Sequence, residues 1–263
     1  MLLVHIDFII LTLFGILSMY AVDIHDMHQS GVPMAVSPNT RQFSSLQQEI
    51  KDAAWRQIAE SGVAALSLKS IARDLKIPLP TISNYFPDQD ALVTSLIIDA
   101  HSSFGDYQIS ARDSFPNVGQ FLQRLMATGV AYREWALRYP ERYMLIFGPV
   151  SPGYKPPMDI LRPFMMRSFS ALVSVLRELR AARLLNVDSL PVLEPASFES
   201  VLSAGTPISK EDQIIYTLAL VIRSRVHGMV SLEITGQLPP YGDGASSLYE
   251  FEIKSIVRQF VDI

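Results

Sequence analysis

The chain has 263 residues, 49% of them hydrophobic and 18% charged, which is ample apolar material for one large or two modest domains and excludes a disordered chain. A net charge of −4 gives no global attraction for nucleic acid, so any such function has to come from a local patch. With no cysteine, disulfide frameworks, thiol redox chemistry and cysteine zinc sites are excluded; of the five histidines only His25 and His28 are close, in a polar stretch, and no metal or cofactor is expected.

In chain order, residues 1–22 come first, with an uncharged apolar run from Phe8 to Val22. The run is short of the roughly 20 residues that span a membrane. No Lys or Arg occurs before Arg41, and Asp7 sits beside the run, so the basic flank of a signal peptide is missing. Three readings stand open: a start assigned too far upstream, with Met34 or Met27 as the true first residue; a membrane anchor or signal; or a structural role. Residues 23–43 are polar and hold Pro, Gly and Ser, as a linker or arm does.

From about Ser44 the text is helical throughout, and no stretch alternates as a strand would. Leu46, Ile50, Ala53, Ala54 and Ile58 make one apolar stripe, which Gly62 terminates. Ser67 caps a second helix in which Leu68, Ile71, Ala72 and Leu75 recur at helical spacing. After a break at Lys76-Ile77-Pro78, a very short helix is predicted over Leu79–Phe86, with Pro80 tolerated in its first turn. Pro87-Asp88 restarts a longer helix through about Tyr107. Further helices are predicted near 117–138, 140–148, 158–184, 211–236 and 247–262, and residues 186–210 read as a long mobile loop. The fold class is all-α. The expected domains are 44–100 and 101–263.

Three short helices, the last two joined by a tight turn, form a helix-turn-helix: one helix crosses the phosphate backbone and the next offers its N-terminal side chains to base edges. The run from Ile50 to Gly62 leads into S-L-K-S-I-A-R-D-L-K-I-P-L-P-T-I-S-N-Y-F-P-D-Q-D-A-L, Ser67 to Leu92. This text resembles the DNA-binding domain of the TetR/AcrR family over about fifty consecutive positions. The resemblance implies that Ser67 and Lys69 meet phosphates. It implies too that Leu79, Pro80, Thr81, Ser83, Asn84 and Tyr85 form the exposed reading surface, while Ile71, Ala72, Ile77, Ile82, Phe86 and Leu92 serve the core.

Three positions depart from the family pattern. Lys76 replaces the usual turn glycine, at a cost of roughly 1 kcal/mol if φ is positive there. Pro78 replaces a polar cap, and Gln89 replaces a lysine that often follows the recognition helix. Residues 41–92 carry six basic side chains (Arg41, Lys51, Arg56, Lys69, Arg73, Lys76) against six acidic ones (Glu49, Asp52, Glu60, Asp74, Asp88, Asp90), so the module is neutral. Neutrality implies few phosphate contacts and leaves open a module that no longer reads DNA. Dimerisation would double those contacts.

In the second half, Tyr132-Arg133-Glu134-Trp135-Ala136, Tyr139-Pro140-Glu141-Arg142-Tyr143 and Arg225-Val226-His227-Gly228 resemble a TetR subgroup with a Trp-His-Gly signature, Val226 standing for the Trp. Tyr132, Trp135, Tyr143, Phe147, Phe164, Met165, Phe169 and His227 are candidates for lining a ligand pocket, although helical spacing makes ordinary core the simpler role for most. Gly228 suits a close helix crossing. The apolar run Ile214–Val230 suggests an interface joining helices 211–236 and 247–262 between two copies.

No nucleophile motif, glycine-rich phosphate loop or carboxylate pair occurs, so no enzyme is expected. The resemblance implies a cytoplasmic transcriptional regulator, a repressor that binds a palindromic double-stranded operator as a homodimer. An apolar small molecule is expected to release it, because Arg133, Arg138, Arg142, Lys155, Arg162 and Arg167 are expected at the rim of any cavity or on the surface. The alternative is a TetR-like ligand-binding protein that is membrane-tethered or unable to bind DNA.

Overall fold

The structure is a computed structural model that describes residues 38–150, 153–188, 190, 209–238 and 244–262. The apolar segment 1–22 and most of the 186–210 connection lie outside the described residues. Nine α-helices are described: α1 (Pro38–Ser61), α2 (Leu68–Asp74), α3 (Leu79–Ser83), α4 (Gln89–Asp113), α5 (Phe121–Arg138), α6 (Pro140–Phe147), α7 (Met158–Ala181), α8 (Lys210–Ile234) and α9 (Gly244–Phe260). No strand occurs among the described residues; one isolated antiparallel bridge joins Leu185 to Val261. No helix among the described residues is long and apolar enough to cross a membrane.

Helix α1 begins at Pro38, earlier than the apolar stripe indicates. A first-turn proline gives up no intrahelical hydrogen bond, so the polar segment before Ser44 can continue the helix backwards. At its other end Gly62, at φ 78°, donates its amide to Ile58 and turns the chain into a short 3₁₀ segment, Val63–Ala65.

The described residues fall into two compact units: 38–100 with 141–161, and 101–140 with 162–262. The first therefore includes α6 and the loop after it, which the sequence places in the regulatory half. Tertiary pairings explain the difference. The Arg142 guanidinium lies 5.0 Å from the Trp55 ring centroid, and the Tyr154 and Thr94 hydroxyls are 2.9 Å apart. Neither pairing leaves a periodic trace. The core of this unit holds Ile50, Ala54, Ile71, Ile82, Phe86, Leu92 and Leu96.

In the second unit α8 packs on α5 and α9, and α9 packs on α5. A Cβ on Gly129 would stand 2.6 Å from Ile253 Cδ1, so α5 and α9 approach closely where no side chain intervenes. A Cβ on Gly228, expected to serve such a crossing, would meet nothing within 4 Å among the described residues, so no such crossing is made there by the described helices. Phe104, Trp135, Phe169 and Phe260 fill the core. Arg133 binds Glu233 through two hydrogen bonds of 2.7 and 2.6 Å, a half-buried fork tying α5 to α8.

Candidate functional site

In the first unit, the local chemistry sets α2 and α3 at a fixed angle. Ser67 is extended (φ −146°, ψ 119°), and its hydroxyl accepts the Ser70 amide, satisfying one of the amides that a helix start leaves free. Its own amide donates to Gln57 Oε1, which ties the start of α2 to α1. At the other end, Lys76 adopts φ 56°. The Lys76 amide donates to the Arg73 carbonyl and the Ile77 amide to the Ala72 carbonyl, the two bonds of a Schellman cap. The left-handed residue that glycine usually supplies is thus a lysine here, with the strain that its Cβ implies.

Pro78 follows in extended conformation (φ −62°, ψ 141°) and precedes α3 without a side-chain cap. The Thr81 amide donates to the Pro78 carbonyl, and the Tyr85 and Phe86 amides both donate to Ile82. One side of α3 is clamped: Ile82 is 0% and Phe86 3% exposed. Asp88 then accepts the Ala91 amide and starts α4.

The remaining positions of α3 and the two residues after it are at least partly accessible. Pro80, Ser83 and Asn84 are exposed, and Leu79, Thr81 and Tyr85 half-buried; on α2, Lys69 is exposed and Ser67 half-buried. Ser83 donates its hydroxyl proton to the Leu79 carbonyl, which leaves its oxygen to accept. Arg73, outside the expected set, carries an exposed side chain that donates to Ser70 Oγ. Arg73 lies near Lys69 and Lys76 in sequence and also pairs with Asp74 at 3.8 Å, on a module whose total charge is zero. The arrangement offers neutral donors and acceptors on α3, with cations on α2 and the turn. That is what a duplex asks of a helix in its groove and of the helix that crosses its backbone.

The second unit contains a cavity of about 40 Å³ to which α4, α5, α7, α8 and α9 all contribute. Tyr132 and Phe169 line it. Trp135 does not; it is fully buried, 4.8 Å from Phe104 between ring centroids, and donates its indole N–H to Ser103. His227 also lies off the lining. Its Nδ1 is 2.9 Å from the Tyr132 hydroxyl and its Nε2 3.3 Å from Ser231 Oγ, as suits a neutral imidazole with one acceptor and one donor. Burial, aided by the nearby Arg223 charge, holds its pKa down to about 4. Phe164 and Met165 are half-buried on α7 and do not line the cavity. Tyr143 and Phe147 belong to the other unit, where their rings pack at 4.8 Å.

The lining that sequence reasoning missed is mostly aliphatic: Leu125, Leu172, Ile222, Val226, Ile253, Ile256 and Val257, with Gln108, Thr128, Ser168 and Arg223 as polar members. Only Arg223 leaves a trace in the sequence. It falls within the stripe Ala219, Ile222, Val226, Val230 on α8, where a charge is out of place.

The profile of bacterial regulatory proteins, tetR family, matches residues 50–96, and that of the tetracyclin repressor-like C-terminal domain matches residues 125–256. The chain is similar to the HTH-type transcriptional regulator Rv1816 of Mycobacterium tuberculosis, with 29% identity over 195 residues, 73% of this chain and 82% of that protein. Among solved structures it resembles the regulatory protein SCO4313, with 31% identity, a TM-score of 0.65, and coverage of 84% of this chain and 100% of that one. A regulatory protein of the tetR family from Rhodococcus RHA1 shares the fold at 14% identity and a TM-score of 0.57, covering 82% of this chain and 97% of that one.

Proposed function

The chain belongs to the TetR family of DNA-binding transcriptional regulators, and from that premise we propose that it is a repressor that holds a palindromic operator as a homodimer and lets go when a small molecule enters the second unit. The observation that carries the reading is α3: Ile82 and Phe86 fix its inner side, while Thr81, Ser83 and Asn84 present hydrogen-bonding groups outward. Ser67 and Lys69 on α2, with Arg73, supply phosphate contacts that set the register.

Two copies pair through α8 and α9 in this reading. Those helices expose Leu232, Leu248 and Phe251, the last 60% exposed, and no described residue stands over Gly228 on α8, where a partner helix can approach. Two-fold symmetry then presents two recognition helices to matching half-sites. The effector site is the cavity bordered by Tyr132 and Phe169. Its volume holds a few water molecules, so a ligand must widen it. A ligand that binds only the widened form shifts the population toward it, and release follows if that form misplaces the recognition helices. The site of action is wherever the chromosome is, which for a bacterial regulator is the cytoplasm.

The test is selection of bound fragments from a random duplex pool, with light scattering of the complex. Inverted repeats bound by an even number of copies support the reading. Fragments without a common sequence would refute it.

A further inference from the structure

Among the described residues that line the cavity in the second unit, one carries a permanent charge, and most of the others are aliphatic. Arg223 lines it, is 8% exposed, and shares its face of α8 with Ile222 and Val226, which line it too. A guanidinium stays protonated throughout the range in which proteins fold, and a buried one is costly unless something on hand stabilises the charge. The Phe169 ring does so on one side, with its centroid 5.8 Å from the guanidinium carbon. No Asp or Glu is among the described residues that line the cavity.

The neighbourhood answers to this charge. His101 is buried and His227 half-buried, and both are kept uncharged, their pKa values held down to about 3 and about 4 by desolvation first and by Arg223 second. The polar side chains around the cavity are mostly committed. Tyr132 is engaged with His227, and Thr128 donates to carbonyls of its own helix. Gln108 donates to the Phe104 carbonyl at 3.1 Å and to Ser168 Oγ at 2.7 Å. Ser168 accepts that bond and so keeps its own proton to give. The lining thus includes a cation and a hydroxyl donor, together with hydrocarbon walls from Leu125, Ile253, Ile256 and Val257.

We propose that the effector is an apolar organic acid, its carboxylate held by Arg223 and Ser168 and its hydrocarbon part lodged against Leu125, Ile256 and Val257. A planar carboxylate matches the fork of a guanidinium, which an alcohol or amide of the same shape does not. The proposal rests on the reading of this cavity as the effector site. None of the six basic side chains expected at the rim or on the surface lines the cavity; Arg223, outside that set, does.

The experiment is calorimetry on the full chain with straight-chain acids from hexanoate to dodecanoate, kept below their micelle concentrations. 4-Phenylbutanoate and the matching uncharged primary amides complete the panel. Each compound is also assayed for release of a duplex selected from the random pool. The acids are expected to bind tenfold to a hundredfold more tightly than their amides, the range of a hydrogen-bonded charge pair. Arg223→Gln is expected to erase that preference, and Arg223→Lys to keep part of it. The acid–amide comparison on the unaltered chain stands even if a variant fails to fold. Amides that bind and release DNA as well as acids would overturn the acid assignment and leave ligand release intact. An undiminished acid preference in a folded Arg223→Gln variant would overturn the role of Arg223. If no acid binds, the proposal falls, and a neutral compound that releases DNA would show that release itself does not fall with it.

Discussion

Lowering the pH from 7.5 to 5 should destabilise the second unit by about 4 kcal/mol, through two imidazoles that the fold keeps neutral. His101 and His227 ordinarily titrate near 6.5, and burial beside Arg223 holds them at about 3 and about 4. The sign follows from which state takes up protons first. As pH falls below 6.5 the unfolded chain protonates both rings, while the folded chain protonates neither until its lower values are reached. Their contribution is therefore fully present above 6.5 and is lost progressively below it. Each unit of separation is worth about 1.4 kcal/mol, so at pH 5 each ring accounts for about 2 kcal/mol. Against a typical domain stability of roughly 5–15 kcal/mol, that loss moves a denaturation midpoint far. The assay is urea denaturation followed by far-ultraviolet circular dichroism at both pH values and constant ionic strength. His227→Gln, which cannot charge, should remove about half of the pH-dependent loss, and so should His101→Gln. Equal losses in the unaltered chain and in both variants would show that these rings are already charged or solvated in the fold, and the reasoning would fail.

Lys76→Gly should raise the stability of the first unit by about 0.5–1 kcal/mol, because Lys76 sits at φ 56° in a cap that glycine fills without strain; thermal unfolding checks this, and a lower midpoint would mean that the turn is not strained. Phe251→Glu should convert dimers to monomers and weaken DNA binding together, since a charge would sit on the exposed apolar face of α9. Light scattering that still reports a dimer would move the interface elsewhere.

Much of this molecule is written locally. Ser67, Gly62, Pro78 and Pro140 mark helix ends by mechanisms that need no partner, and the strained position at Lys76 is visible because a lysine stands where the turn requires positive φ. The exposed positions of α3 follow from Ile82 and Phe86, whose spacing leaves the rest of the helix outside. The start of α1 is hidden because residues before Ser44 carry no apolar period, and a proline at a first turn reads as a break. The grouping of α6 with the first unit depends on Arg142 meeting Trp55, a contact between distant residues. The cavity is least legible. Density of aromatic residues picks out Tyr132 and Phe169, but it also picks Trp135, Tyr143 and Phe147, which pack rings against rings. Aliphatic side chains supply most of the actual lining, which five helices share, and nothing in a helical period separates a wall from a core. A single arginine inside an apolar stripe is the sign available, and it bears on chemistry more than on place.

The central claim is that α3 reads bases while α2 holds the backbone, and the salt dependence of binding to a selected duplex and to its scrambled partner tests it most directly. Fluorescence anisotropy gives both affinities between low and moderate salt. Lys69→Ala should weaken both duplexes alike and flatten the slope of log K against log salt by about 0.9 for each recognition unit engaged. Thr81→Ala and Asn84→Ala should leave the slope in place and weaken the selected duplex alone, by on the order of 1–3 kcal/mol. A Lys69→Ala variant that changes base preference, beside Thr81→Ala and Asn84→Ala variants that do not, would contradict the placement of these helices on DNA.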